Sequence, residues 1–159
     1  MTAPRFLMPG EYLFGQHPEP VVTLLGSCVA VVLWHPRRRL LAVSHFVVPG
    51  GAFEQGDTRS GEAVFVRLQQ DMARHRTAPG EYRKGLYGGG SCLQPGRHGT
   101  VQIGRMNIAF AREQFALLGW SADEQDLGGL GYRRLTADGR DGRLICQSFT
   151  PPQLLEGTA

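Results

Sequence analysis

VVTLLGSCVAVVLWHPRRRLLAVSHFVVP, residues 21–49, decides how the rest of the chain is read. Two apolar runs flank the segment His35-Pro36-Arg37-Arg38-Arg39, whose proline and charges suit a turn. Cys28 heads the first run, directly after Gly26-Ser27, and His45 lies inside the second. An antiparallel hairpin centred on Arg37-Arg38 puts Cys28 opposite Val47. His45 then sits one diagonal step away on the same face, because strand side chains alternate with period two. A turn centred one residue earlier places Cys28 and His45 directly opposite, and a one-residue bulge would separate them. A thiol after a tight glycine turn and an imidazole on the next strand are the minimum parts for thiolate chemistry. The same two residue types are also ordinary core content, since free cysteine is among the most buried side chains and strand histidines commonly pack inside.

Working outward, residues 29–34 are apolar without alternation, which predicts a strand covered on both faces. Residues 40–48 predict a longer strand interrupted only by Ser44 and His45 and ended by Pro49-Gly50-Gly51. The polar, glycine-rich residues 50–60 leave that strand as a loop that would rim the site. Val64, Phe65, Leu68 and Met72 recur at helical spacing, predicting a helix over residues 62–76 capped by Ser60 and closed by residues 77–80. Ile108, Ala111, Phe115 and Leu118 predict a second helix over residues 107–118, with Gly119 as its stop. Residues 1–20 carry four prolines and read as an entry segment with one short strand around Tyr12-Leu13-Phe14.

A strand from Arg83 runs into Gly88-Gly89-Gly90-Ser91-Cys92, which lacks the lysine of a P-loop and a full dinucleotide fingerprint, so a tight bend is expected there. Cys92 and His98 are two ligand types without a partner pair, and no metal site is assigned. Residues 124–127 read as a strand. Residues 131–136 and 143–149, a run containing an expected buried Cys146, form a final hairpin across two Asp-Gly pairs. The order predicts an α+β fold with two helices packed on a largely antiparallel sheet. The whole chain, 1–159, reads as a single domain with a flexible tail at about 150–159.

At 42% hydrophobic and 19% charged residues the composition is that of a globular domain, and a net charge of +3 is too mild to indicate nucleic-acid binding. Three scattered cysteines make no disulfide framework, and no apolar run approaches the ~18 residues of a membrane span. Neither a secretory leader nor membrane insertion is expected, and the chain reads as cytoplasmic.

Gly10-Glu11-Tyr12, Leu25-Gly26-Ser27-Cys28-Val29-Ala30-Val31, His45 ahead of a closing proline and Gly88-Gly89-Gly90 occur in order. Ile103-Gly104-Arg105-Met106-Asn107 and Asp126-Leu127-Gly128-Gly129 with Arg133 follow them. With these motifs the chain resembles the CheD family of chemoreceptor glutamine deamidases over nearly its whole length. The resemblance implies a three-layer α-β-β sandwich, Cys28 as nucleophile, His45 as base and a threonine slightly upstream as third residue. Thr23 is the candidate for that position, and strict counting puts Val22 there. The implied reaction converts receptor glutamine to glutamate through a thioester, with a thiolate-imidazolium pair at Cys28 and His45. The backbone around Gly26, Ser27 and Cys28 would hold the oxyanion, and no cofactor is needed. The implied partners are methyl-accepting chemotaxis receptors and a CheC-type phosphatase. A non-catalytic adaptor of the same fold and a thiol amidase or protease with another substrate are the alternatives. Retention of both Cys28 and His45 weighs against the adaptor.

Overall fold

The computed structural model describes residues 3–91 and 99–150. Cys92, His98 and the tail residues 151–159 lie outside the described residues. The strands are β1 (Arg5–Phe6), β2 (Tyr12–Gly15), β3 (Val21–Leu25), β4 (Val29–His35), β5 (Leu40–Ser44), β6 (Arg83–Gly88), β7 (Glu124–Leu127), β8 (Tyr132–Ala137) and β9 (Leu144–Phe149). The helices are α1 (Gly61–Arg74) and α2 (Gly99–Leu118). One sheet has the order β2-β5-β4-β6-β7 and the other β1-β3-β8-β9.

β4 explains the layering. Val29, Val31 and Leu33 face a cluster containing Val64, Phe65, Leu68 and Met72 of α1 and Ala111 and Phe115 of α2. The alternate residues Ala30 and Val32 face a second cluster with Val21, Leu25, Leu135 and Ala137 of the other sheet. A strand buried on both faces needs no polar alternation, which is why the run reads as continuously apolar. Helices, five-stranded sheet and four-stranded sheet thus form an α-β-β sandwich.

The hairpin expected from residues 21–49 forms in the register centred on Arg37-Arg38, with His35 opposite Leu40 and Val32 opposite Val43. The same register persists at an isolated bridge between Val29 and Phe46. β5 nevertheless ends at Ser44, short of the expected Val48. The ladder opens there because Ser44 Oγ takes the place of a backbone group, accepting from Val31 N–H at 3.0 Å and donating to the Val31 carbonyl at 3.4 Å.

Other boundaries also move. α1 ends at Arg74, and Ser60 caps it by accepting from Ala63 N–H at 3.2 Å. α2 begins at Gly99 rather than Asn107. Gly104 lies against the bend after β6, where an added Cβ would come within 2.6 Å of the Gly89 carbonyl. The sheets are mixed: β6 pairs with β7 in parallel, and β1 with β3, while the remaining pairings are antiparallel. A parallel pair needs a crossover, and α2 is the one that carries the chain from β6 to β7. Cys146 is half-exposed, not buried, because β9 is an edge strand. Among the described residues no helix is long and apolar enough to cross a membrane.

Gly88 is the tightest point of the bend. Its φ is +109° and a Cβ there would collide with the Cys28 carbonyl. Gly88→Ala is expected to cost about 2–4 kcal/mol of stability, read from urea unfolding. A loss below about 0.5 kcal/mol would show that the backbone does not hold this approach.

Candidate active site

Cys28 follows the turn between β3 and β4, and three consecutive carbonyls of that turn are each held by a donor. Gly90 N–H donates to the Gly26 carbonyl at 2.8 Å and Gly89 N–H to the Cys28 carbonyl at 2.8 Å. Between them, the Ser27 carbonyl accepts from Asn107 Nδ2 at 2.9 Å. A trans peptide is planar, with C=O and N–H pointing opposite ways. Fixing the Gly26 and Ser27 carbonyls toward the β6 bend and α2 therefore aims Ser27 N–H and Cys28 N–H the other way. Both N–H groups lie within the Gly26-Ser27-Cys28 backbone that the family resemblance puts forward for an oxyanion.

His45 follows β5 and is 1% exposed. Its carbonyl accepts from Gly10 N–H at 2.7 Å, which anchors the backbone where the ladder has opened. Parity from the last bridge, Val29 opposite Phe46, puts Cys28 and His45 on the same face, the one turned toward the four-stranded sheet. Thr23 approaches from that other sheet. On β3 it shares its face with Val21 and Leu25, both in the cluster between the sheets, whereas Val22 has the opposite parity.

Thr23 Oγ1 lies 2.6 Å from His45 Nδ1 and 2.7 Å from the Leu7 carbonyl. A carbonyl has no proton to give, so the single hydroxyl proton goes to Leu7. Oγ1 must then accept, and Nδ1 carries the proton. In the neutral ring this leaves Nε2 with its lone pair, which is the form a general base requires.

Desolvation works against the ion pair that the resemblance implies. Burial pulls His45 down from its ordinary 6.5 to about 4. Burial raises the Cys28 thiol, against the opposing effect of its own backbone N–H. Both residues are thus held neutral at rest, since desolvation disfavours each charged form.

Sequence reading missed the Leu7 carbonyl, which no side-chain pattern marks. It noted Arg133 without a role. Arg133 is buried and donates through Nη1 to the Gly88 carbonyl at 3.3 Å, and through Nη2 to the Gly128 carbonyl at 2.6 Å and to Asp126 at 3.0 Å. It braces the ends of β6 and β7 beneath the Cys28 turn. The loop expected to rim the site is closed at its base, where Val47 N–H donates to the Arg59 carbonyl at 2.7 Å.

The family model for CheD chemotactic sensory transduction matches residues 51–148. The chain belongs to the CheD family. A relative from Dechloromonas aromatica (strain RCB), named probable chemoreceptor glutamine deamidase CheD 3, is 36% identical over 84% of this chain and 80% of its own. A CheD from Pseudomonas syringae pv. syringae is 35% identical over 87% and 80%, and a CheD 2 from Albidiferax ferrireducens 32% identical over 92% and 87%. The segment matched by the family model begins after Thr23, Cys28 and His45, and it contains the β6 bend, Asn107 and Arg133 that surround them.

The neutral state of His45 has a consequence for stability. Between pH 6.5 and about 4 the unfolded chain takes up a proton that the folded chain refuses. The contribution is complete above pH 6.5 and is lost as the pH falls toward 4, amounting to roughly 3 kcal/mol. Denaturant unfolding at several pH values is expected to show that slope in the native protein and a shallower one in His45→Gln. Parallel slopes would mean that His45 titrates alike in both states.

Proposed function

We propose that the protein hydrolyses glutamine side-chain amides of methyl-accepting chemotaxis receptors to glutamate, with Cys28 as nucleophile, His45 as general base and acid, and Thr23 as the group that fixes the imidazole. The observation that carries it is the hydrogen bond from His45 Nδ1 to Thr23 Oγ1, which leaves Nε2 free to take a proton, in a chain of the CheD family.

As Cys28 Sγ forms its bond to the amide carbon, the thiol proton passes to Nε2 of His45. Proton transfer in step with attack lets two neutral groups react without a standing ion pair. The developing oxyanion meets Ser27 N–H and Cys28 N–H, a contribution of about 3 kcal/mol per donor in such sites. The imidazolium returns its proton to the nitrogen as the C–N bond breaks, and ammonia leaves a thioester. Water then attacks the thioester carbon, giving its proton to His45, and the Sγ–C bond breaks to restore the thiol and release glutamate. No step calls on a metal or an organic cofactor. The reading puts the protein in the cytoplasm, with the receptors' glutamine-bearing helices. A CheC-type phosphatase is the second partner it puts forward.

Incubation with a glutamine-bearing receptor fragment should release ammonia, with mass spectrometry locating new glutamates. Cys28→Ala should abolish both. His45→Ala should lower turnover by about 10²–10⁴-fold while the protein remains folded. Binding without ammonia would instead identify an adaptor, and backbone cleavage a protease.

Thr23→Val keeps the shape of the side chain and removes the acceptor for Nδ1. A fall in kcat of about 10²-fold is expected, with most of the activity retained in Thr23→Ser. Equal activity in Thr23→Val and the native protein would remove Thr23 from the site.

A further inference from the structure

We propose that Asn107 is a positioning residue of the Cys28–His45 site, a clamp that holds the nucleophile's turn and the base's segment in one fixed arrangement. The inference rests on the catalytic reading above and adds a residue that reading does not use.

Asn107 lies on α2 and is fully buried. Its Nδ2 is 2.9 Å from the Ser27 carbonyl and 2.9 Å from the Val47 carbonyl. Two carbonyl acceptors need two protons, so the amide orientation follows from chemistry: the flipped form would set oxygen against oxygen. The two acceptors belong to the two segments that matter. Ser27 C=O shares its peptide plane with Cys28 N–H, so holding one aims the other. Val47 stands two residues after His45, in the register position opposite Cys28.

The place of the clamp is also informative. Backbone pairing between the β4 and β5 segments last occurs at Val29 and Phe46. Beyond it, Val47 and Val48 N–H both turn to the Arg59 carbonyl, and Val48 C=O accepts from Gly61 N–H. The two chain segments part there, and Asn107 supplies the tie that a further rung would otherwise give. Without it, nothing in the β4–β5 ladder past that bridge fixes the spacing of the Cys28 turn from the His45 segment.

Stability alone is a poor account of this residue. Asparagine is unfavourable inside helices, and Oδ1 of Asn107 is buried with no hydrogen-bond partner among the described residues. Gly104, one turn earlier, lets α2 approach the β6 bend closely enough for the short side chain to reach Ser27. Asn107 is also the only asparagine in the 159 residues.

That singularity gives a direct test on the native protein. With ¹⁵N-asparagine labelling, one side-chain amide signal reports the clamp. Its hydrogen exchange should be slower than that of free asparagine by on the order of 100-fold or more. It should also shift when Cys28 is alkylated, because the Ser27–Cys28 peptide is its partner. Free exchange and an unshifted signal would overturn the proposal even if every substitution at the position unfolds.

Asn107→Asp keeps the shape and loses both donors, and Asn107→Ala removes the group. In whichever folds, as judged by its thermal midpoint, kcat on the receptor fragment should fall by about 10²-fold with KM within about threefold. His45→Ala, which should slow Cys28 alkylation in the native background, should then make little further difference, the signature of coupled residues in a double-mutant cycle. A folded variant that keeps full kcat and the native dependence on His45 overturns the clamp alone. If His45→Ala leaves alkylation unchanged in the native protein, the catalytic pair itself fails, whatever Asn107 does.

Discussion

Behind the nucleophile's turn, a side-chain hydrogen bond joins the two sheets, from His45 Nδ1 on one side to Thr23 Oγ1 on the other. Packed sheets lie about 10 Å apart, a distance that apolar side chains fill without specifying any contact atom by atom. A polar contact of 2.6 Å is different, because it forms only at one spacing and one relative shift of the sheets. The clusters around it, with Val21, Leu25 and Leu135 from one sheet and Ala30, Val32 and Val43 from the other, hold that spacing. They also exclude the water that would otherwise compete for the hydroxyl and let the imidazole charge.

The glycine-rich motifs serve backbone more than side chains. The partly buried turn has its three carbonyls met by three donors, and leaving one unpaired out of water would cost about 1–3 kcal/mol. Two of them come from the Gly89 and Gly90 amides and one from the side chain on α2. Chains can meet that closely only where Cβ atoms are missing, which is why Gly88 lies against the Cys28 carbonyl and Gly104 against the Gly89 carbonyl. Arg133 then holds the far side of the same bend through carbonyl oxygens of Gly88 and Gly128.

Parity made the shared face of Cys28 and His45 legible, because side chains alternate along a strand. The register stayed open between two turn centres, because β4 and β5 are buried on both faces and a one-residue slip exposes no apolar set. The stripe of α1 was legible for the same kind of reason. The first turns of α2 were not, because Gly104 is there for a contact with the β6 bend and weakens the local helical signal. β1 has only two residues, both exposed, and offers no pattern at all. Thr23 was reachable only through the family resemblance, since its partner sits in a different sheet and no local periodicity relates the two. The charge state of Cys28 and His45 was hidden for a further reason: it depends on how much solvent the second sheet removes, which spacing along a chain does not encode.

The tautomer of His45 is ultimately decided by the Leu7 carbonyl, which takes the only proton Thr23 has to give. Leu7 is itself held by a hydrogen bond of 2.8 Å from its N–H to the Val22 carbonyl, just past a parallel strand of two residues at a sheet edge. Edge strands this short are the first parts of a fold to open. Were Oγ1 released from the Leu7 carbonyl, its proton would be free to turn to Nδ1, and Nε2 would then carry the ring proton and lose the lone pair a base needs. The arrangement makes the resting tautomer of the base a property of how β1 docks on β3.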